Sequence, residues 1–278
     1  MTGPFMLSST DVGHKESGAI PERADGASEA ASWIPVWPAV GVDLDVRQQL
    51  ACAARILARI GFSENYAGHI SCLDPASGHF WCTPWGKWWD EMCASDVILV
   101  AMDGSTVSGS LGVTPAIHIH TGLHEARPDA VAIVHNHPRF GTLLASHGTV
   151  PVNYTQTGLI LENEIRLVRE YTGAISTRQQ GRELAARAPD GTAFLLANHG
   201  VITVGETVAH AVFKADILET VCRQHYDMRV LGDVGLIPMP DEQRQEHGLK
   251  KVQADISVRA YWEGAVRQLV RTEPGVLD

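Results

Sequence analysis

An apolar run that ends in two histidines constrains this chain more than any other segment. Residues 132–137 read Ala-Ile-Val-His-Asn-His, and Pro138 follows. Side chains alternate across a β-strand, so residues two positions apart project to the same side. Neutral imidazole is a common ligand of zinc and of other divalent transition metals. The spacing of His135 and His137 therefore predicts a strand that carries two ligands of a metal site.

A second apolar run repeats this arrangement further along the chain. Residues 194–199 read Phe-Leu-Leu-Ala-Asn-His, and Gly200 can release the backbone into a turn. A lone histidine at a strand end is more often a hydrogen-bonded side chain than a ligand, and that alternative stays open for His199. With His135 and His137 it completes a three-histidine set. Such a set is compatible with Zn, Mn, Fe or Co, and it disfavours Mg and Ca, which prefer oxygen ligands.

Helical and strand patterns alternate from Asp43 to Leu231. Apolar residues recur at helical spacing over residues 43–60, three later segments are also predicted to be helical, and short apolar runs between turn residues predict strands. The predicted helices cover residues 43–60, 115–126, 177–187 and 207–231. The predicted strands cover residues 67–73, 79–83, 97–101 and 106–108, the two histidine runs and a continuing strand at 201–204. Strands that are apolar on both faces need a helical layer on each side, so we expect an α/β/α sandwich.

Composition limits the size and the partners of this fold. The chain has 278 residues, 45% of them hydrophobic and 19% charged, which suits a single domain with one sizeable core. We divide it into a flexible N-terminal arm (1–38), a folded domain (39–235) and a C-terminal helical tail (236–278). A net charge of -10 argues against nucleic acid as a partner. We expect no membrane partner, and we expect a small-molecule substrate.

The cysteines and the start of the chain bear on localisation. Five cysteines form no Cys-x-x-Cys pair and no even disulfide framework, which suits a reducing compartment. The first residues carry acids and glycines instead of a basic segment followed by an apolar one. We therefore expect a cytoplasmic protein.

The motifs together resemble the class II aldolase and adducin family over about residues 42–232. The resemblance rests on Ala126-Arg-Pro-Asp-Ala130 before the histidine pair, on Asn198-His199-Gly200, and on two early glycine loops, Ala67-Gly-His-Ile-Ser71 and Thr83-Pro-Trp-Gly86. It implies a sandwich with a mainly antiparallel central sheet. It also implies that His135, His137 and His199 bind the metal, and that the protein is a homotetramer with sites near subunit interfaces.

This sequence departs from the sugar-phosphate aldolases of that family. The glutamate that binds the metal and moves the proton in those enzymes aligns with Ala116, so the proton-transfer acid is missing. The positions that hold the substrate phosphate align with His69, Trp85 and the pair Thr114-Pro115. Indole and proline cannot donate the hydrogen bonds that a phosphate dianion needs in the same way as those groups. The resemblance therefore points away from a sugar phosphate, and His69, Trp85 and Gly86 become candidate substrate-binding residues.

Aromatic and histidine side chains stand where those groups are lost. Flat tryptophan walls suit a flat substrate, although packing in the core or between subunits is an equally open interpretation. The tryptophans are Trp85, Trp88 and Trp89. His120 shares a helix face with His124, and it is our first candidate for the catalytic proton donor. His118 is the second candidate.

Two further side chains are candidates on weaker grounds. Tyr154 lies near the position of a tyrosine that faces a neighbouring subunit's site in the aldolases, and it is the third catalytic candidate. Arg139 follows the histidine pair and would bind a substrate carboxylate with its forked guanidinium. The alternatives are an interface or core tyrosine and a surface ion pair.

These residues favour a metal-dependent lyase that decarboxylates a hydroxylated aromatic or heteroaromatic (di)carboxylic acid. Branches of the family without the aldolase glutamate carry out that reaction. A second possibility is an aldolase that cleaves an unphosphorylated hydroxy-keto acid with another base, such as His118 or Glu162. A third is a non-catalytic, adducin-like scaffold, which the three retained histidines argue against.

Overall fold

The computed structural model describes residues 43–232, 235–248 and 251–278, and the predicted arm over residues 1–38 lies outside the described residues. The helices are α1 Val46–Arg59, α2 His118–Ala126, α3 Arg139–His147, α4 Arg178–Arg187, α5 Val208–Leu231, α6 Asp241–Gly248 and α7 Lys251–Thr272. The strands are β1 His69–Asp74, β2 His79–Cys82, β3 Ile98–Val100, β4 Thr106–Ser108, β5 Ala132–Asn136, β6 Ile165–Val168, β7 Ala193–Leu196 and β8 Gly200–Gly205.

The strands form a sheet in the order β4-β3-β2-β1-β5-β8-β7-β6. Neighbouring strands are antiparallel except for the pair β6 and β7, which is parallel. In the centre of the sheet, His69 of β1 pairs with His135 of β5, and His135 pairs with Ile202 of β8. The first histidine of the 132–137 run therefore lies in the middle of the sheet, beside a histidine from a neighbouring strand.

Alternation along the strands divides the core between two helical layers. On one face, Ile70 of β1 and Val134 of β5 pack with apolar residues of α1, α5 and α7. On the other face, Ile133 of β5 packs with Leu123 of α2 and Leu184 of α4. The predicted α/β/α sandwich with a mainly antiparallel central sheet is confirmed. His69 and His135 alternate with the first set, so they face the layer that contains α2.

Two boundaries differ from the predictions. Helix α2 begins at His118, three residues later than predicted, because residues 114–117 form a tight turn. In this turn the backbone N–H of Ala116 donates to the Thr114 hydroxyl, and that of Ile117 donates to the Thr114 carbonyl. The strand predicted to continue past His199 instead folds back as a hairpin, with Leu196 of β7 paired with Gly200 of β8. His199 therefore lies in the hairpin turn.

Helices α2 and α4 cross with their backbones in contact. A Cβ atom on Gly122 would lie 2.3 Å from the carbonyl oxygen of Gly181, and a Cβ atom on Gly181 would lie 2.1 Å from the carbonyl oxygen of His118. Contacts this short leave room only for hydrogen at both positions. The two glycines therefore set how closely α2 is held by its neighbouring helix.

The residues predicted as a C-terminal tail contain α6 and α7. Val266 and Leu269 of α7 are fully buried in the same apolar cluster as α1 and α5. Arg55 of α1 forms a 2.6 Å ion pair with Glu273, just after α7. Among the described residues, the helices are all too short or too polar to cross a membrane.

We expect Gly181→Ala to destabilise the protein, because its methyl group would push α4 away from α2. Overpacking of this kind costs roughly 1–3 kcal/mol. The matched control is Gly264→Ala in α7, where the nearest atom to the new Cβ is 3.9 Å away at the end of the Arg267 side chain. Urea unfolding of both variants measures the difference, and equal free energies of unfolding would contradict the close crossing.

Candidate metal centre

The three histidines predicted from the two apolar runs lie together in the structure. One potential ligand nitrogen from each of His135, His137 and His199 lies within 4.8 Å of the other two. His135 belongs to β5, whereas His137 follows the end of that strand and precedes Pro138, the N-cap of α3. His199 approaches from the turn between β7 and β8. Strand pairing therefore joins residues that are more than 60 positions apart in the sequence.

Two of these rings are oriented by hydrogen bonds at Nδ1. The Nδ1 atom of His135 lies 2.9 Å from the carbonyl oxygen of Val201, which can only accept, so Nδ1 carries the proton. The Nδ1 atom of His137 lies 2.7 Å from a carboxylate oxygen of Glu64 and donates in the same way. In a neutral ring, each bond leaves a lone pair on Nε2.

Burial keeps the rings of His135 and His199 neutral. Desolvation, followed by the neighbouring imidazoles His199, His69 and His137, holds the pKa of His135 well below its usual range. Desolvation and the nearby His137 lower the pKa of His199 to about 4. Metal binding requires deprotonated imidazole, so near pH 7 these two rings carry no proton that an ion would have to displace.

The surroundings of His137 fit a bound ion. Its Nε2 atom is buried and has no hydrogen-bond partner among the described residues. Leaving a buried polar atom unpaired costs about 1–3 kcal/mol, and a metal ion would supply the missing partner. Three imidazoles with no carboxylate in the described group match a catalytic zinc-type site with an open coordination position.

Position 200 requires glycine because a larger side chain would collide with neighbouring atoms, and not because the backbone turns there. A Cβ atom there would lie 2.4 Å from Cδ2 of His137 and 2.6 Å from the carbonyl oxygen of Asn136. The hairpin turn depends instead on Asn198, whose φ of 56° is left-handed. The prediction that Gly200 releases the turn is therefore corrected, because the chain reverses at Asn198 and Gly200 makes room for the His137 ring.

A hydrogen-bonded series of side chains continues from this cluster toward α2. The ring of His69 lies 4.9 Å from that of His135, measured between centroids. Its Nδ1 atom is 2.5 Å from Nε2 of His120. The Ser71 hydroxyl lies 2.5 Å from Nδ1 of His120 and 2.8 Å from Nε2 of His124. His69 therefore separates His120 from the three-histidine group.

The series ends on the backbone. The Nδ1 atom of His124 is 2.6 Å from the carbonyl oxygen of Ala130, to which it donates. Desolvation lowers the pKa of His124 to about 4. Desolvation, followed by repulsion from neighbouring imidazoles, also holds the pKa values of His69 and His120 well below their usual range. All three rings are therefore neutral near pH 7.

The other predicted proton donor lies elsewhere. The Nδ1 atom of His118 is 3.2 Å from the Thr121 hydroxyl, and the residue borders Gly104 and Gly181. The helix face that carries His120 and His124 is turned away from it. No described contact joins His118 to the three-histidine group.

The tryptophans divide between surface and core. Trp85 is 52% exposed, its ring centroid is 6.3 Å from that of Tyr66, and it precedes Gly86, which has a left-handed φ of 86°. Trp88 is 49% exposed. Trp89 is buried in the core with α1, so its interpretation as a wall of the site is wrong and the packing alternative holds.

No described contact joins Arg139, Tyr154 or Glu162 to His135, His137 or His199. The guanidinium of Arg139 lies 5.5 Å from the Phe140 ring centroid, beside a surface cavity lined by α5. The ring of Tyr154 lies 6.0 Å from that of His225. Glu162 accepts a 2.6 Å hydrogen bond from the Asn153 amide. The proposed roles of these residues stay predictions.

Sequence reasoning missed Glu64 and Ser71. Glu64 lies 73 positions before His137 in a loop, and no spacing rule connects the two. Ser71 had a usable signal, because it follows His69 by two positions in a strand and so shares its face. The alternation applied to His135 and His137 would have found it.

Comparison with known proteins gives a family context. The model of the class II aldolase and adducin N-terminal domain family matches residues 48–226. A 4-hydroxy-3-prenylphenylpyruvate oxygenase/4-hydroxy-3-prenylbenzoate synthase of Streptomyces roseochromogenus subsp. oscitans is 32% identical over 198 residues, which cover 69% of this chain and 70% of the relative. The decarboxylase NovR of Streptomyces niveus is 32% identical over 176 residues, 62% of this chain and 65% of that relative.

A solved structure supports the same fold. The L-fuculose 1-phosphate aldolase of Glaciozyma antarctica PI12 superposes with a TM-score of 0.73 and 26% identity, covering 89% of this chain and 99% of that one. The aligned region of NovR is slightly less than two thirds of its length. The family resemblance drawn from the motifs is confirmed.

We expect Glu64→Gln to weaken metal binding, because a neutral amide would accept a weaker hydrogen bond from Nδ1 of His137 and hold its tautomer less firmly. Loss of such a partner typically costs roughly 10–100-fold in metal affinity. The matched control is Glu183→Gln, whose carboxylate accepts from Gln179 on the exposed side of α4. Competition with a chromophoric chelator measures both affinities, and an unchanged value for Glu64→Gln would contradict its role.

Stability should fall at mildly acidic pH because of His124. Its pKa is lowered on folding from an ordinary 6.5 to about 4, so the unfolded chain binds more protons between those values. This contribution is complete above pH 6.5, is lost as pH falls toward 4, and is on the order of 3 kcal/mol. Urea unfolding at pH 7 and pH 5 should show a smaller pH effect for His124→Gln than for wild type or for the exposed His147→Gln. Equal pH effects in all three proteins would contradict this assignment.

Proposed function

Since the chain belongs to the class II aldolase and adducin family, we propose that it is a metal-dependent lyase that decarboxylates a hydroxylated aromatic or heteroaromatic carboxylic or dicarboxylic acid. One observation carries this proposal: the potential metal ligands that lie together are three histidines, with no carboxylate among the ligand set of the described residues. Ala116, at the aligned position of the aldolase glutamate, packs instead against the apolar cluster between α2, α4 and the sheet.

The relatives support the choice of substrate. One is named for 4-hydroxy-3-prenylphenylpyruvate and 4-hydroxy-3-prenylbenzoate, and another is named a decarboxylase. We carry over to this chain the hydroxylated aromatic acid and the loss of carbon dioxide, and not the prenyl group. The half-exposed rings of Trp85 and Trp88 offer flat surfaces of the kind that such a substrate requires.

His135, His137 and His199 would hold the divalent metal. When bound, that ion would supply positive charge to chelate substrate oxygens and to stabilise the electron pair left on carbon as carbon dioxide departs. The Val201 carbonyl and the Glu64 carboxylate keep two of the ligand rings in place, with Nε2 unprotonated. Zn, Mn, Fe and Co all remain compatible with these ligands.

Proton transfer falls to His69 in this proposal. Its ring borders His135, and Nδ1 is held by His120, so Nε2 is the nitrogen left for substrate. His69 would take the proton of the substrate hydroxyl and return it to the ring carbon after the carbon–carbon bond breaks. The phenolate product would then take a proton from solvent. His120, first predicted as the donor, would act through His69.

An aldolase that cleaves an unphosphorylated hydroxy-keto acid is the second candidate. The structural similarity to the L-fuculose 1-phosphate aldolase favours it. Of the bases predicted for it, Glu162 is engaged by Asn153 and Arg244, and His118 lies on the far side of α2. A homotetrameric assembly with a small carboxylic acid as substrate stays a prediction in both cases.

We expect wild-type protein to contain close to one metal ion per chain and to release carbon dioxide from a hydroxy-aromatic acid without forming an aldehyde. The measurement combines elemental analysis with a panel of hydroxybenzene and hydroxypyridine (di)carboxylates and hydroxy-keto acids, each assayed for carbon dioxide and for carbonyl products. Parallel reactions with and without oxygen separate a simple decarboxylation from an oxygenase reaction. His137→Ala should lose both metal and activity.

The control is His147→Ala, which removes an exposed histidine from α3 and should change neither property. Metal with aldehyde release would identify an aldolase. Absence of metal from wild type after reconstitution with Zn, Mn, Fe or Co would overturn the proposal.

A further inference from the structure

The hydrogen-bonded series described above forms a row that consists of His69, His120, Ser71 and His124. All hydrogen bonds in this row run in one direction. The carbonyl oxygen of Ala130 can only accept, so the proton of a neutral His124 ring is on Nδ1 and its Nε2 atom is an acceptor. The Ser71 hydroxyl lies 2.8 Å from that Nε2 atom and must donate its one proton to it. The end of the row thus determines the first two bonds.

The same reasoning continues toward the metal centre. Because the Ser71 hydroxyl donates its only proton to His124, its oxygen must accept a hydrogen bond from Nδ1 of His120, 2.5 Å away. A neutral His120 then presents a lone pair at Nε2, so the 2.5 Å bond to His69 requires Nδ1 of His69 to donate. A neutral His69 is left with a lone pair on Nε2.

Packing makes this arrangement rigid. Ser71 and His120 are fully buried, and His69 and His124 are nearly so. His69 and Ser71 belong to one face of β1, while His120 and His124 are one turn apart on α2. Reversing any one bond would leave two protons or two lone pairs facing each other in a buried place, at a cost of about 1–3 kcal/mol for the unpaired group.

We propose that Ser71, His120 and His124 are positioning residues that fix His69 as a hydrogen-bond acceptor at Nε2, so that the site selects substrates with a hydroxyl proton to donate. The selection of a hydroxy acid rests on the proposed function, whereas the direction of the row rests on these contacts alone. An ether oxygen in place of the hydroxyl would face the lone pair without a proton between them. Sites built to pair with a hydroxyl discriminate strongly against analogues that lack it.

The direction of the row can be observed without an activity assay. Magic-angle-spinning NMR of protein labelled with ¹⁵N,¹³C-histidine distinguishes Nδ1–H from Nε2–H rings. Near neutral pH we expect His69, His120 and His124 all to be protonated at Nδ1 only. An Nε2–H signal from any of the three would overturn the proposal, whether or not the protein is a decarboxylase.

Ser71→Ala interrupts the row while removing a single oxygen atom. We expect the His120 and His69 rings to lose their single tautomer and to show mixed Nδ1–H and Nε2–H signals. Thr203→Val is the matched control, since it removes another fully buried hydroxyl, one that donates to the Ala211 carbonyl 2.8 Å away and takes no part in the row. Unchanged tautomers in Ser71→Ala would overturn the proposal. If that variant does not fold, the wild-type spectrum still decides.

Selection is tested by binding of two probes to zinc-loaded protein. We expect wild type to bind 2-hydroxybenzoate roughly 10–100-fold more tightly than 2-methoxybenzoate, the range for one unpaired buried group. Ser71→Ala should bring the two affinities together, and Thr203→Val should not. Equal affinities in wild type would overturn the selection of a hydroxyl donor. Failure of the proposed function would instead appear as absent carbon dioxide release with the tautomers as expected.

Discussion

The hydrogen bond from an imidazole Nδ1–H to an oxygen atom is the interaction on which this end of the molecule depends. Val201 and Ala130 supply backbone carbonyls, Glu64 supplies a carboxylate and Ser71 supplies a hydroxyl. Each bond lets an imidazole be buried without an unpaired donor, and each leaves Nε2 with a lone pair. Without such partners, a group of histidines in a protein core would cost more free energy than their packing returns.

The sheet supplies two of these oxygens, those of Ser71 in β1 and Val201 in β8, and its strand order brings them to the histidines. β1, β5 and β8 are adjacent and antiparallel, so residues far apart in the sequence meet across the ladder. His135 reaches a carbonyl on its own neighbouring strand, and His69 is its cross-strand partner. The α2 helix then closes over the same face, held near α4 by Gly122 and Gly181. A rigid sheet and a closely packed helix together position side chains that flexible loops would leave loosely oriented.

The fold therefore holds two groups of imidazoles with different arrangements. His135, His137 and His199 converge on one point, which suits a cation. His69, His120 and His124 instead lie in a row: His69 is hydrogen-bonded to His120, and the Ser71 hydroxyl connects His120 to His124. In the proposed function, the convergent group would hold the cation that stabilises negative charge on the substrate, and the row would fix the orientation of His69. In the proposed function, Ala116 at the position of the aldolase glutamate and this row of histidines would give the shared fold a different chemistry, since fold by itself does not determine function.

Much of this could be predicted from residues alone. The predicted bounds of α1, α4 and α5 lie within a few residues of the observed ones, and the residues that cap their N-termini, Asp45, Thr177 and Thr207, are local signals. The start of α2 was placed three residues too early, since a Thr-Pro pair begins tight turns as readily as a helix. Trp89 shows the limit for side chains: a tryptophan in a loop can face solvent or the core, and only packing decides.

The sequence by itself determined the spacing of His135 and His137 at the end of an apolar run and offered His199 as a third candidate, since these are local properties of the chain, whereas strand pairing decided that the three converge. It also determined the α/β/α sandwich, because a sheet whose strands are apolar on both faces needs a layer of helices on each face. Only the tertiary structure decided that Glu64 orients His137, that His120 lies behind His69 while His118 lies apart, and that the Ala130 carbonyl sets the direction of the row. The contacts of Glu64 with His137 and of His69 with His120 join residues more than 50 positions apart, and such contacts have no signature in local spacing. The bond from His124 to Ala130 spans only six positions, but it depends on how the chain turns between α2 and β5.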